Sequence, residues 1–257
     1  MKPTGTYVYC LVAAARRPRA TRAPGLAGAG PVRLVEQGGT ARGRLKKWLV
    51  VSDVPLDRYG ESAINTKLSD LDWVSRAAVA HEAVVESFIG ATALVPMKLF
   101  TIFADDERAA ARLGAQHDRI DAALERVRGR VELGVRVALG RQRPQPRRPA
   151  RADTGVAYLA GKKAQRDRAA ELAVNARTVV ADLYDGLSTL ASEAVRRSAT
   201  ELPVQGGPLL LDAAFLVPRT RADRFRRTVA RRAKDLAAGG YRVTLTGPWP
   251  PYSFVRD

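Results

Sequence analysis

The chain has 257 residues, a formal net charge of +17 and an isoelectric point near 10.8. This length suits two modest domains, and the single Cys10 cannot form an internal disulfide. No apolar stretch approaches the roughly 20 residues that span a bilayer, and the apolar run at the N-terminus is too short for a signal peptide. We therefore expect a cytoplasmic protein with no transmembrane role.

The positive charge could attract nucleic acid, anionic lipid or an acidic protein surface. The basic residues are mostly arginine and the apolar residues are rich in alanine, as in proteins from GC-rich genomes, so coding bias explains part of the excess. No recognition fold and no alternation of aromatic with basic residues accompanies the charge. Specific nucleic-acid binding is therefore not expected.

Three strands are predicted near the start of the chain from their β-branched and aromatic residues. They are Thr6–Val12, Val32–Gln37 and Leu45–Val51. Gly25, Gly28 and Gly30 precede a strand, whereas a dinucleotide-binding fingerprint places its glycines between a strand and a helix. These glycines therefore indicate a plain loop.

A long helix is predicted from Ser69 to Gly90, after a short helix within Asp53–Gly60. Ser69 is a suitable N-cap, and Asp70 and Asp72 place negative charge at the positive end of the helix dipole. Residues at three- and four-residue spacing then form one face that must be covered. These are Leu71, Val74, Ala78, His81, Val85 and Phe88.

Trp73 lies about 100 degrees around the helix from that face. We expect it either to widen the buried face or to contact the other domain. His81 is expected to hydrogen-bond to a neighbouring element beneath the helix, and Glu82 lies beside it.

The rest of the first domain, residues 1–139, is predicted as strand, helix, strand. Ala93–Phe103 is a strand with Pro96 near its start or at an edge, followed by a helix over Asp105–Arg128 and a strand over Val131–Val137. Gly114 weakens the helix. The order of elements predicts an antiparallel or mixed sheet with helices on one face, an α+β structure of ferredoxin-like kind.

Residues 140–153 are a predicted linker, since they contain three prolines, five arginines and almost no apolar side chain. Residues 154–246 form a second α+β domain. Its predicted inward side chains follow helical spacing in two helices. These are Leu172, Val179, Leu183, Leu187 and Leu190, then Phe225, Val229 and Leu236. Its predicted elements are a helix over Tyr158–Ser198 with a break near Asp185-Gly186, a strand over Leu209–Val217, a helix over Ala222–Ala238 and a strand over Tyr241–Thr246.

The C-terminal tail, residues 247–257, is predicted to dock. Its prolines hold the backbone extended while it presents Trp249, Tyr252 and Phe254. These aromatics either fold back over their own sheet or the domain interface, which we favour, or bind a partner.

Catalytic chemistry finds little support in the sequence. His81 and Glu82 match the start of a zinc-protease motif, but Val85 stands where the second histidine belongs. Asp70 and Asp72 are explained by helix capping, and Cys10 lies in an apolar strand. We expect no enzyme activity, cofactor or metal.

Several segments together resemble one known family, the gas vesicle proteins GvpF/GvpL. They are the opening Tyr-Val-Tyr strand, Asp70-Leu-Asp-Trp-Val74, His81-Glu-Ala-Val-Val85, Val95-Pro-Met-Lys-Leu-Phe100 and Thr246-Gly-Pro-Trp-Pro-Pro-Tyr-Ser-Phe-Val255. The resemblance spans nearly the whole chain and is most specific in the tail and in the Asp-Trp helix with its His-Glu pair.

The resemblance implies a non-enzymatic accessory and minor structural protein of gas vesicles. Such a protein binds the hydrophobic shell protein GvpA, limits its aggregation and supports vesicle nucleation and assembly. Trp73, His81, Glu82, Trp249, Tyr252 and Phe254 are the candidate residues for partner binding or interdomain docking. The alternative is a basic regulatory or nucleic-acid-associated α+β protein.

Overall fold

The computed structural model describes residues 3–19, 21–39, 45–140, 155–197 and 208–255. The chain divides into two compact units, one made of Met1–Glu132 with Pro248–Asp257 and the other of Leu133–Gly247. Each unit carries helices and an antiparallel sheet, which confirms a mixed helix and sheet fold. The predicted linker, apart from Gly140, lies outside the described residues.

The sheet of the first unit has the strand order β2-β3-β1-β4, and β5 also pairs with β1. Its strands are β1 (Thr4–Ala14), β2 (Arg33–Gly39), β3 (Lys46–Pro55), β4 (Ala93–Pro96) and β5 (Ile102–Phe103). The first three confirm the predicted strands, although β3 continues to Pro55, into the segment where a short helix was expected. The helices are α1 (Leu56–Tyr59), α2 (Glu61–Lys67), α3 (Leu71–Ser87), α4 (Asp106–Gly114) and α5 (His117–Val127).

Both faces of this sheet are covered, so the prediction of helices on one face is wrong. Alternate residues of β1 belong to two separate apolar clusters, one shared with α3 and the other with α4 and α5. The unbroken apolar run Tyr7–Ala13 is almost fully buried. A strand that is apolar on both sides needs a cover on each, which α3 supplies on one face and α4 with α5 on the other.

The long helix α3 is capped by Asp70 and not by Ser69. The Asp70 side chain accepts a hydrogen bond from the Trp73 backbone N–H at 3.0 Å. The buried face is also rotated from the predicted one: Leu71 is 76% exposed and Ala78 is exposed, while Ala77 and Val84 are buried. The apolar side chain of Leu71, in the first turn of α3, therefore projects into solvent.

The predicted strand over Ala93–Phe103 is two short strands joined by a turn. Pro96 lacks an N–H, and the Thr101 N–H donates back to the Lys98 carbonyl at 3.2 Å. Phe100 has a φ of +64°, which is rare for a residue with a side chain. This turn carries Lys98–Phe100 away from β1.

The predicted helix over Asp105–Arg128 is likewise two helices, α4 and α5. Gly114 is the last residue of α4, and His117 opens α5. Glycine has a low helix propensity, which accounts for the interruption.

The sheet of the second unit has the strand order β7-β8-β6-β9. Its elements are β6 (Arg130–Leu139), α6 (Gly155–Ser188), β7 (Glu193–Arg196), β8 (Leu209–Pro218), α7 (Ala222–Ala237) and β9 (Tyr241–Trp249). The chain order β-α-β-β-α-β is that of the ferredoxin-like motif. The first unit has a different order of elements, and its ferredoxin-like description stays a prediction.

One helix prediction in the second unit is wrong. Residues 193–196 form β7, which pairs antiparallel with β8, whereas a helix was expected to Ser198. A pattern of four residues is too short to distinguish a strand from a helix. The pairing with β8 determines that this segment is a strand. Leu183 and Leu187 of α6 are buried as predicted, whereas Leu172 lies among residues whose side chains are not described.

Candidate functional site

The C-terminal tail is held in the first unit by two carboxylates. The backbone N–H and the hydroxyl of Ser253 both donate to Glu132, at 2.9 Å each. The Tyr252 hydroxyl donates to Oε2 of Glu82 at 2.5 Å. Phe254 is only 1% exposed. The end of the chain is therefore anchored by charge-assisted hydrogen bonds and by a buried ring.

The two carboxylates lie in a poorly solvated environment. Glu132 is 2% exposed. Burial raises the pKa of Glu82, the hydrogen bond from Tyr252 opposes this, and Glu86 and Glu132 raise it further. Burial and the neighbouring Glu82 in turn raise the pKa of Tyr252. Near neutral pH the phenol therefore keeps its proton and donates a hydrogen bond to Glu82.

His81 occupies the wall between the core and the tail. Its Nδ1 lies 2.7 Å from the hydroxyl of Tyr7, and that hydroxyl accepts the Phe100 backbone N–H at 3.2 Å. Burial lowers the pKa of His81 to about 4, which the nearby Met97 backbone opposes only in part. The imidazole is therefore neutral near pH 7. Within the described part of the chain its Nε2 has no hydrogen bond of good geometry.

Trp73 of α3 is the middle ring of an aromatic stack on the face of the sheet that α3 covers. Its ring stacks on Phe100 at a centroid distance of 5.1 Å and on Tyr59 at 6.0 Å. The ammonium of Lys67 lies 5.5 Å from the Trp73 ring centroid. Phe100, which has a positive φ, places its ring against Trp73. Within the first unit, Trp73 widens the packed face of α3.

A pocket of about 380 Å³ opens where α3, the turn after β4 and the tail meet. We call it the tail pocket. It is lined mainly by apolar groups, and its polar lining residues are His81, Glu82, Lys98 and Tyr252. Its walls include Ala78, His81, Glu82, Met97, Tyr252 and Val255.

The tail pocket brings together three of the six predicted site residues: His81, Glu82 and Tyr252. Phe254 is buried in the core, and Trp73 belongs to the aromatic stack. Trp249 is 38% exposed and does not line the pocket.

Sequence reasoning missed Glu132, the buried acceptor for the tail. It stands in the alternating run Val131-Glu-Leu-Gly-Val-Arg-Val137, where alternation assigns the charged positions to solvent. Tyr7 was recognised only as part of a buried strand. No local pattern identifies either residue as a partner of His81 or Ser253, since those contacts join distant parts of the chain.

The described ranges contain no group of three or more His, Cys, Asp or Glu side chains that could hold a metal ion. In the same ranges no helix has the length and apolar content to cross a membrane. Cys10 is fully buried, and burial raises the pKa of its thiol, so the reactive thiolate is disfavoured.

Comparison with known proteins identifies the family of this chain. The family model described as "Gas vesicle synthesis protein GvpL/GvpF" matches residues 5–256. The chain belongs to this family. Gas vesicle protein L of Streptomyces sp. (strain CB03234) is 35% identical over 214 residues, which is 80% of this chain and 79% of that protein. Gas vesicle protein F of the same strain is 28% identical over 236 residues, 88% of each chain.

The fold is shared with solved members of the family. The crystal structure of GvpF from Anabaena sp. PCC7120 superposes with a TM-score of 0.68 and 16% sequence identity, covering 99% of both chains. The segments that suggested the family in the sequence include α3, the turn after β4 and the tail, and these are the segments that form the tail pocket.

Proposed function

We propose that this GvpL/GvpF family member is a non-enzymatic accessory and minor structural protein of gas vesicles. In this proposal it binds the hydrophobic shell protein GvpA and other gas vesicle proteins in the cytoplasm, limits GvpA aggregation and supports nucleation and assembly of the vesicle. Family membership supports the gas vesicle role. The tail pocket is the observation that supports binding of an apolar protein segment.

The pocket has the chemistry that such a segment requires. Ala78, Met97 and Val255 provide apolar walls, and the flexible thioether of methionine adapts to differently shaped side chains. Its polar groups are neutral His81, the paired Glu82 and Tyr252, and Lys98 of the turn after β4. A mostly apolar pocket with few polar groups is typical of binding sites for hydrophobic side chains.

We further propose that the chain is used as two α+β domains that correspond to the two compact units, Met1–Glu132 with Pro248–Asp257 and Leu133–Gly247. In this proposal the first domain, with the tail returned to it, is the GvpA-binding part. Trp249 is then an exposed aromatic of the tail, outside the pocket itself, and is available to contact GvpA. Trp73 acts indirectly, because its stack on Phe100 supports the turn that lines the pocket.

A blocking substitution at Ala78 tests this proposal. Ala78 is exposed on α3 and lines the pocket, so Ala78→Arg should obstruct the pocket without disturbing the core or the helix propensity. Co-expressed with GvpA, the variant should keep less GvpA in the soluble fraction and retain less of it in a pull-down than the unmodified protein.

Ala83→Arg is the matched control. Ala83 is also exposed on α3 but does not line the pocket, so the same change in size and charge is made outside it. Normal GvpA retention by Ala78→Arg, or an equal loss in both variants, would contradict the assignment of GvpA to the tail pocket.

A further inference from the structure

The second unit contains a separate groove that the proposed function does not use. It lies between the end of α6 and the outer face of α7 and has a volume of about 570 Å³. Leu183 and Leu187 are buried beneath it, and Leu190 is half-buried at its side. The groove therefore has leucine side chains at its base, of which Leu190 is the accessible one.

Its rim is cationic. Arg224, Arg227, Arg231 and Arg232 all line the groove. The three- and four-residue spacing of Arg224, Arg227 and Arg231 places them along one side of α7, whereas Arg232 lies about 100 degrees further round the helix. Phe225 and Val229 point into the core. We call this surface the arginine groove, defined by the four arginines and the three leucines.

These arginines have no acidic partner within the described part of the chain. By contrast, Arg226 on the neighbouring side of α7 pairs with Asp223 at 3.2 Å. Four cations side by side repel one another, and that repulsion is relieved when carboxylates are placed between them. The rim is thus complementary to a row of negative charges.

We propose that the arginine groove binds an acidic amphipathic helix of a partner protein. The partner's leucine-like side chains enter between Leu187 and Leu190, and its carboxylates pair with the guanidinium groups of the rim. Arginine favours this role because its planar group binds a carboxylate through two hydrogen bonds. The net charge of +17 assists the encounter with such a partner.

The same features argue against nucleic acid as the occupant. Among the described residues no aromatic side chain lines the groove, so stacking on bases there would depend on the arginines alone. A phosphate backbone would use the rim but leave the leucine side chains uncovered. An amphipathic helix uses both, and helix-in-groove binding buries an apolar face of this kind.

A model peptide tests the proposal with the full chain. The probe is a labelled peptide of about 20 residues that repeats glutamate and leucine at helical spacing, long enough to form a helix. Two comparison peptides replace every leucine with serine, or every glutamate with lysine. Fluorescence anisotropy should show binding of the first peptide alone, weakening as salt is raised from about 0.05 to 0.5 M.

Charge-reversal variants locate the site. Arg227→Glu with Arg231→Glu should weaken peptide binding by at least about tenfold, because two attractive pairs become repulsive. Arg221→Glu with Arg226→Glu makes the same change in net charge on residues that do not line the groove, and its affinity should stay within about threefold of the unmodified protein. Circular dichroism checks that both variants are folded.

Three outcomes would overturn the proposal. One is equal weakening by both pairs of substitutions, which would mean binding to the overall charge. The second is equal binding of the serine peptide, which would exclude a role for the leucine side chains. The third is a single-stranded oligonucleotide that competes at the groove as well as the acidic peptide does, which would reassign the groove to nucleic acid.

Discussion

The tail pocket and the arginine groove differ in how their polar groups are satisfied. In the tail pocket Glu82 pairs with Tyr252 of the same chain, and the adjacent Glu132 holds Ser253, so the carboxylates serve to hold the structure. In the arginine groove the guanidinium groups stay exposed above leucine side chains. One surface is formed by contacts within the chain, and the other has exposed arginines that the proposed partner would pair with.

This comparison has a consequence for mutations. Removing the partner of a buried polar group lowers the free energy of unfolding. Removing an exposed, unpaired side chain has little effect on it. Changes to the buried or paired groups around the tail pocket should therefore act on stability, whereas changes to the exposed arginines of the groove should act on binding alone. The following predictions test that division, from the largest expected effect to the smallest.

Phe254→Ala should lower the free energy of unfolding of the first unit by about 3–5 kcal/mol, because it leaves a cavity in the core. Urea denaturation followed by tryptophan fluorescence measures this directly, since Trp48, Trp73 and Trp249 all belong to the first unit.

Trp249→Ala is the control within the same tail. Its side chain is 38% exposed, so its loss should cost less than about 1 kcal/mol. A Phe254→Ala variant as stable as Trp249→Ala would show that the tail is dispensable for the first unit.

The pH dependence of stability should change when His81 is replaced by glutamine. Burial lowers the pKa of His81 to about 4 from an ordinary value of 6.5, so between these pH values the unfolded chain binds the proton more readily. Stability is therefore lost as the pH falls from 6.5 to 4. In His81→Gln this loss should be smaller by about 1 kcal/mol per pH unit.

Glu82 acts in the opposite direction. Its raised pKa means that the folded protein takes up that proton first, so its contribution to stability grows as the pH falls below that raised pKa. Comparing His81→Gln with the unmodified protein keeps Glu82 constant. Parallel curves of unfolding free energy against pH would show that His81 does not stay neutral in the fold.

The smallest effect is expected for Arg227→Ala combined with Arg231→Ala. Both side chains are exposed and unpaired within the described residues, so each substitution should change the free energy of unfolding by less than about 0.5 kcal/mol. Thermal unfolding followed by circular dichroism covers the second unit, which contains no tryptophan. A loss of several degrees would place these arginines among the groups that hold the fold.

Elements with strong local signals were predictable. The apolar runs of β1 and β8 and the amphipathic pattern of α7 specify their own type and nearly their own ends. The turn at Gly239-Gly240 was predictable because glycine readily adopts a positive φ, and Gly240 has a φ of +80°. Such features depend on neighbours in the chain, which a reader of the sequence can see.

The interruption of the predicted strand after Pro96 depended on tertiary contacts. Phe100 has a positive φ, its ring stacks on Trp73, and its N–H donates to the hydroxyl of Tyr7. Similarly, β7 is a strand because β8 lies beside it. A short segment follows its packing partner when its own preference is weak.

By itself the sequence determined the strongly patterned helices and strands, the family, and the fact that an aromatic tail must dock. Only the tertiary structure decided where the tail is bound. Its hydrogen bonds join Tyr252 to Glu82 and Ser253 to Glu132, across separations of 170 and 121 residues. Alternation assigned Glu132 to solvent, and it is buried because the tail's N–H and hydroxyl reach it. A buried carboxylate is stable only where donors meet it, and donors so distant in the chain leave no trace in local spacing.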